Sequence, residues 1–293
     1  MLEVLGCTNA MLDEGELGGG QGSSKRAVIL IFAHKAELGW QERIALEQCY
    51  RVLGNHPIRL VCPRGLELAA YRAVVPKLEA DFIAPRWMAS LAAYNRLKMS
   101  PWLYRRYSQF EFLLTYELDA FVFRDELLQW CDAGWDYIGA PWFVGFNNAS
   151  PEAAYLGVGN SGFSLRRIAT MLRISTTWRQ VATCRDLWTE AYASRNNLLG
   201  RLRYFAGAAV WNNYRFPFCP QVLEDYHWCI QAAKAFPEFR LAPIGEAIRF
   251  SFEANPARIF AEAGEKLPFG CHKWMNYNPE FWLPRIRNCG YEI

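Results

Sequence analysis

Apolar and polar positions along this chain switch between strand-like and helix-like patterns, and the switches mark out its elements. Ala27-Val-Ile-Leu-Ile-Phe-Ala33 is a continuous apolar run, the pattern of a strand covered on both faces. From Trp40 to Leu53, the residues Ile44, Ala45, Cys49 and Val52 fall on one helical stripe, and Gly54-Asn55 closes it. Ile58-Arg-Leu-Val-Cys62 predicts a second strand, Leu66–Tyr71 a short helix, and Leu78–Ile83 a third strand. A short helix near Pro101–Tyr107 then precedes a strand over Phe112–Leu118. Strands alternating with helices predict an α/β fold built on a mostly parallel, doubly wound sheet. Ligands of such sheets bind beyond the carboxyl ends of the strands.

The second half is more mixed and predicts a smaller region on the side of a second substrate. Tyr137-Ile-Gly-Ala-Pro-Trp142 reads as a strand that turns sharply. Gly157-Val-Gly-Asn-Ser-Gly-Phe-Ser-Leu-Arg166 reads as a Gly-rich turn entering a strand, and Arg166–Leu172 as helical. Residues 176–215 are rich in Arg, Asn and Trp with weak periodicity, the character of an insertion or a lid. Glu224–Phe236 predicts a helix, and the stretch from Pro268 onward reads as aromatic-rich coil. Gly18-Gly-Gly-Gln-Gly-Ser-Ser24 marks residues 1–24 as a loose tail, leaving 25–293 as one domain.

Composition narrows the class of partner. Aromatics make up 15% of the chain with 12 Trp, enough for a core and for a cleft lined by rings that stack on sugars or bases. A formal net charge of +3 is too small to argue for a nucleic-acid or membrane partner. The nine cysteines are scattered, with no C-x-x-C pair, which fits free thiols in a reducing compartment rather than zinc or disulfides. No apolar run approaches the roughly 18–20 residues that span a bilayer. These features lead us to expect a cytoplasmic protein; they say nothing of its oligomeric state.

The candidate chemistry starts at Glu111-Phe-Leu-Leu-Thr-Tyr-Glu-Leu-Asp119, where an apolar strand ends in two carboxylates. The i, i+2 spacing of Glu117 and Asp119 puts both on one side of an extended backbone. Unpaired carboxylates are costly to bury, whereas a divalent cation requires oxygen ligands. Gly159-Asn160-Ser161-Gly162 offers exposed backbone donors and two short polar side chains, although a plain hairpin turn has the same composition. Glu224-Asp225 opens a helix, either as an N-terminal cap or with one carboxylate facing the cleft as a general base. His272, in a tight turn among aromatics, is a candidate to complete a metal site, with Lys273 and Trp274 beside it as candidates to bind donor or acceptor. His34 ends the first strand at the carboxyl edge, where it would contact a nucleotide base.

An acidic pair at a strand end, a Gly-rich loop, Glu-Asp at a helix start and a late histidine occur here in that order. This order resembles the nucleotide-sugar glycosyltransferases of the GT-A fold. From about residue 27 to 281 the chain resembles one bacterial and fungal family, domain of unknown function 5672. The likeness is carried by Tyr94-Asn-Arg-Leu97, Leu118-Asp-Ala-Phe-Val-Phe123, Asp136-Tyr-Ile-Gly-Ala-Pro-Trp142, Gly159-Asn-Ser-Gly-Phe-Ser-Leu-Arg166, Glu224-Asp225 and Leu267-Pro-Phe-Gly-Cys-His272.

The resemblance implies a GT-A-like, Rossmann-like domain and a metal-dependent, inverting glycosyltransferase. It would use a nucleotide-sugar donor, a UDP-sugar in first expectation, and a glycan acceptor in cell-surface polysaccharide synthesis. Glu117 and Asp119 would occupy the D-x-D position with a Mn²⁺ or Mg²⁺ ion, Asp119 as the ligand, with Glu standing where the pattern has Asp. His272 would be a further metal ligand and Asp225, beside Glu224, the general base. Gly159 to Gly162 would face donor sugar and acceptor. By their charge, Arg96, Lys98 or Lys273 could also hold the diphosphate, and each reads equally as a solvated surface charge. Two alternatives stay open on the residues: a sugar nucleotidyltransferase, and a non-catalytic glycan-binding or scaffold protein with a degenerate site. The first lacks a basic Gly-rich loop after strand one; the second has to explain three intact residues, Asp119, Asp225 and His272.

Overall fold

A computed structural model of the chain describes residues 26–177, 184–210 and 223–293. The expected tail lies outside these residues, as do 178–183 and 211–222. Eleven strands are present among them. They are β1 (Ala27–Phe32), β2 (Ile58–Pro63), β3 (Ala80–Ile83), β4 (Phe112–Tyr116), β5 (Phe121–Val122), β6 (Tyr137–Ile138), β7 (Ala140–Phe143), β8 (Tyr155–Gly159), β9 (Phe163–Arg167), β10 (Ser251–Phe252) and β11 (Gly270–Cys271). Six of them form the main sheet, in the order β3-β2-β1-β4-β9-β6. β1, β2, β3 and β4 run parallel, and β9 lies antiparallel to both β4 and β6. The expected mostly parallel α/β architecture is the one observed.

The apolar run of β1 explains why the sheet is covered on both faces. Ala27, Ile29 and Ile31 point into one core, Val28, Leu30 and Phe32 into the other, and all six are buried. Helix α1 (Trp40–Leu53) covers the first face with Ala45, Leu46, Cys49 and Leu53; Glu42 holds its N-terminus by accepting from the Gly39 amide at 2.7 Å. On the opposite face, after α2 (Ala69–Val74), lie α3 (Leu91–Met99) and α4 (Pro101–Arg106), contributing Leu97, Leu103 and Tyr104.

Helix α3 is absent from the sequence reading. Its buried side carries Asn95 and Lys98 beside Ala93 and Leu97, so polar residues interrupt the stripe that would reveal it. Ser90 caps it, accepting from the Ala93 amide at 3.2 Å. The coil expected after Pro268 is also corrected: Pro279–Asn288 is helical, with Pro279 in its first turn and Phe281, Trp282 and Ile286 buried. Pro284 inside this helix disguises it. Residues Cys184–Ser194 and Leu198–Val210 are helices as well, packed on each other, within the stretch read as weakly periodic.

The sharp turn expected within Tyr137–Trp142 falls at Gly139, where the chain leaves the main sheet at β6 and enters a two-stranded sheet as β7, paired with β8. A Cβ at Gly139 would overlap the carbonyl oxygen of Gly159, so only glycine lets the two backbones meet there. The third sheet, β10-β11-β5, is short, and its geometry gathers one set of polar groups: β5 begins just after Asp119, β10 ends just before Glu253 and β11 ends just before His272.

Candidate metal and substrate site

Three strand pairings bring the acidic and imidazole groups together. In the antiparallel pair β5–β11, Phe121 faces Cys271, which sets Asp119, two residues before Phe121, near His272, one residue past Cys271. In the parallel pair β10–β11, Phe252 faces Cys271, so Glu253 comes level with His272. In the main sheet, the β4–β9 pairing continues beyond Tyr116, with the Glu117 amide donating to the Gly162 carbonyl at 2.7 Å. Four segments far apart in sequence therefore meet at one strand edge, beyond the carboxyl end of β4.

Glu117, Asp119 and His272 each offer a ligand atom, and these atoms lie within 4.8 Å of one another. His272 Nε2 is 3.0 Å from Asp119 Oδ1 and 3.6 Å from Glu117 Oε2. Despite that proximity, Nε2 and Oδ1 are buried atoms without a hydrogen bond among the described residues. A buried polar atom is rarely left unpaired, and two such atoms facing each other fit a common third partner. The other imidazole nitrogen, Nδ1, lies 3.0 Å from Glu253 Oε1. A carboxylate behind a histidine is the arrangement that orients imidazole towards a divalent cation. The donor set, two carboxylates and one imidazole, fits Mn²⁺ or Mg²⁺.

Burial alone would raise the Glu117 carboxyl, but the Lys98 ammonium and the His272 imidazole outweigh it and hold it well below the usual carboxylate range. Burial opposes charge on His272, yet Asp119, Glu117 and Glu253 overcome it and raise the imidazole well above its ordinary value. The carboxyl is lowered by the cations beside it and the imidazole is raised by the carboxylates around it. Glu253 was not singled out in the sequence, where it stands alone between Phe252 and Ala254 with no local motif to mark it.

A cleft of about 540 Å³ opens beside the acidic pair. Its walls include Phe32, His34, Tyr71, Leu91 and Tyr94, and Glu117 and Asp119 stand at its edge. His34 is exposed in this cleft, on the segment leaving β1. Arg96 is half-buried on α3.

Several residues read as ligand-facing have other contacts. Lys98 is only 1% exposed, and its ammonium donates to Glu117 Oε1 at 2.7 Å and to Ser161, with Glu224 Oε1 at 3.3 Å. Trp274 is fully buried against Trp40. Lys273 lies 3.3 Å from Glu253. The glycines make room for side chains: a Cβ at Gly162 would overlap the His272 imidazole, and one at Gly159 the Trp142 ring. Asn160 adopts φ 74° and accepts from the Gly162 amide at 2.9 Å, which fixes the turn beneath the imidazole.

Glu224 and Asp225 separate into two roles. Glu224 is fully buried and accepts two bonds from Arg166, itself fully buried, at 2.9 and 3.0 Å. Its amide donates to Asn95 Oδ1 at 2.9 Å. Burial would raise its carboxyl, but Arg166 and Lys98 lower it. Asp225 is half-buried, and its carboxylate accepts from the neighbouring Tyr226 amide at 2.9 Å. Burial and then the Glu224 charge push Asp225 up to about 6. The helix that these two residues open (Glu224–Tyr226) passes at once into a π-helical stretch, His227–Ala232.

The family model for "Protein of unknown function (DUF5672)" matches residues 77–272, a span that holds every residue of the acidic and imidazole cluster. No curated protein matches the sequence. Among solved structures, an active-site mutant of LgtC is similar at 13% identity and a TM-score of 0.44, over 84% of this chain and 86% of that one. Mouse xyloside xylosyltransferase 1, in its apo form, is similar at 11% identity and a TM-score of 0.47, over 84% of this chain and 97% of that one. No helix among the described residues is long and apolar enough to cross a membrane.

Proposed function

The chain belongs to the DUF5672 family, and from the chemistry of its site we propose that it is a metal-dependent, inverting glycosyltransferase of GT-A type. The proposed donor is a nucleotide-sugar, a UDP-sugar first, and the proposed acceptor a glycan hydroxyl, in cell-surface polysaccharide synthesis. The observation that carries the reading is the facing pair of buried atoms, Asp119 Oδ1 and His272 Nε2, 3.0 Å apart without a hydrogen bond between them, beside a cleft large enough for a nucleoside.

Glu117, Asp119 and His272 would hold Mn²⁺ or Mg²⁺. Bound there, the ion would supply positive charge against the leaving nucleoside diphosphate. Glu253 keeps the imidazole turned so that Nε2 points at the carboxylates. Asp225 takes the proton of the acceptor hydroxyl as that oxygen bonds to the anomeric carbon and the carbon–phosphate oxygen bond breaks. Its carboxyl, pushed up to about 6, is basic enough for this work and still ionised near neutral pH. Glu224 keeps Arg166 and Lys98 neutralised and takes no part in proton transfer.

Thermal unfolding with UDP, GDP and CMP, each with and without Mn²⁺, tests the donor site on wild type and Asp119→Ala. A ligand at 100 times its Kd stabilises the fold by about 2.7 kcal/mol. The reading expects a shift with one nucleotide that requires metal and vanishes in Asp119→Ala, and release of that nucleotide from its sugar conjugate. No shift with any nucleotide would sink the donor site and favour the non-catalytic glycan-binding alternative.

A further inference from the structure

We infer that Tyr94 and Lys98 act on the metal through Glu117, as positioning residues that fix it as a one-oxygen metal ligand. The inference rests on the metal site proposed above and deepens it. Glu117 stands where the resembling pattern has Asp, and its extra methylene needs an explanation. The structure supplies one. Tyr94 donates its hydroxyl to Glu117 Oε1 at 2.8 Å, and Lys98 donates to the same oxygen at 2.7 Å. The other oxygen, Oε2, is the one on the His272 side, 3.6 Å from Nε2. The two oxygens of one carboxylate are thus divided between a helix and the metal cluster.

That division decides what Glu117 can do. A carboxylate free at both oxygens can rotate and chelate, or swing away; one pinned at Oε1 by two donors presents only Oε2, in a single direction. Tyr94 is itself held, with its ring against Phe32 at 5.3 Å and the Lys98 ammonium 4.2 Å from its centroid. Lys98 is held by Glu224, which is gripped by Arg166. A buried ammonium with a single acidic partner could be drawn out of place by that partner; with Glu117 on one side and Glu224 on the other, it stays put. The chain of contacts runs from the buried Arg166 through Glu224 and Lys98 to Glu117. The segment carrying Asp225 is thereby tied to the metal cluster by side chains that stay dry.

Titration of the wild type and of Tyr94→Phe, Glu117→Gln and the double variant with Mn²⁺ alone, followed by the electron paramagnetic resonance of free Mn²⁺, tests this without any activity. Loss of such a supporting contact lowers metal affinity about 10-fold to 100-fold. Tyr94→Phe removes one hydroxyl and keeps the ring, so it should fold, and should weaken Mn²⁺ about 10-fold. In the Glu117→Gln background the same change should add nothing, because Tyr94 acts through Glu117. Wild-type affinity in Tyr94→Phe, or full additivity in the double variant, would overturn the inference while leaving the metal site intact. Wild type that binds no Mn²⁺ would overturn the metal site and this inference together, a result plainly different from the other two. Lys98→Met, checked for fold by circular dichroism, should weaken Mn²⁺ further than Tyr94→Phe; an unchanged affinity in folded Lys98→Met would also overturn it.

Discussion

Two clusters of charge in this protein share Lys98 as a bridge, and they are finished to different degrees. Around Arg166, every charged group has its counterpart: the guanidinium grips Glu224 through two bonds, touches Ser164 and Tyr104, and lies over the Tyr137 ring. Around His272, three carboxylates crowd one imidazole, and two facing atoms have no hydrogen bond. The first cluster is closed and dry; the second lies at the edge of an open cleft. A buried ion pair whose donors and acceptors are all used holds structure, whereas a cluster with spare ligand atoms beside a cavity waits for a partner. Both contain acidic residues that sequence alone marks as candidates, so only the surroundings tell Glu224 from Asp119.

The largest effect that separates them is on stability. Arg166→Met leaves Glu224 buried with only Lys98 and should destabilise the fold by about 3–5 kcal/mol in urea unfolding. Replacing both partners, Arg166→Met with Glu224→Leu, should recover most of that loss. Asp119→Ala removes a part-exposed carboxylate and leaves Glu117 and Glu253 facing His272, so in metal-free buffer it should lower the unfolding midpoint far less than Arg166→Met. If Asp119→Ala unfolded as readily as Arg166→Met, the contrast between a structural and a functional cluster would collapse.

A middle-sized effect sharpens the comparison at Gly162. A methyl group there overlaps the His272 imidazole. Gly162→Ala should therefore cost about 1–3 kcal/mol by overpacking and should displace Nε2 from Asp119. In His272→Ala the same methyl has room, so the double variant should unfold later than Gly162→Ala. Equal stability of the two would mean that Gly162 is constrained by something other than the imidazole.

The sequence made one of these clusters far more legible than the other. The run Phe112–Tyr116 followed by Glu117 and Asp119 is a local pattern, since a buried strand forces its acidic end to the sheet edge. Local sequence leaves His272 and Asp225 as open candidates, and only the resemblance gives each a definite role, because their neighbours in space come from remote segments. Glu253 and Tyr94 were not reached. Glu253 acquires its role from the register of β10 on β11, and no local signal encodes a pairing between two-residue strands. Tyr94 and Lys98 sit on α3, whose buried face is partly polar because it faces the charge clusters; the residues that build the site broke the periodicity that would have shown the helix. A cap signal was nonetheless there, Ser90 at the start and Ser100-Pro101 at the end. Lys98 was expected to hold a diphosphate on the strength of its charge alone, and burial assigns that charge to two carboxylates of the protein.

A pH-dependent effect sets apart Asp225, which lies between the two clusters in character: close enough to Glu224 to feel its charge, yet partly open. Its carboxyl is raised from an ordinary 3.8 to about 6, so the folded chain holds this proton more tightly than the unfolded chain. Between about pH 4 and 6 the folded state therefore binds more proton than the unfolded state at this site, and the contribution of Asp225 to stability falls as pH rises through that window. Activity should move the opposite way, because only the ionised carboxylate can accept the acceptor's proton; kcat/KM should rise with pH to a plateau, with its acid limb centred near 6. Asp225→Asn removes both dependences at once: it should cut turnover by about 10²–10⁴-fold and flatten the corresponding part of the stability profile. An acid limb that persists unchanged in the residual activity of Asp225→Asn would assign the base to another group, and a stability profile unmoved by the substitution would deny that this carboxyl is raised at all.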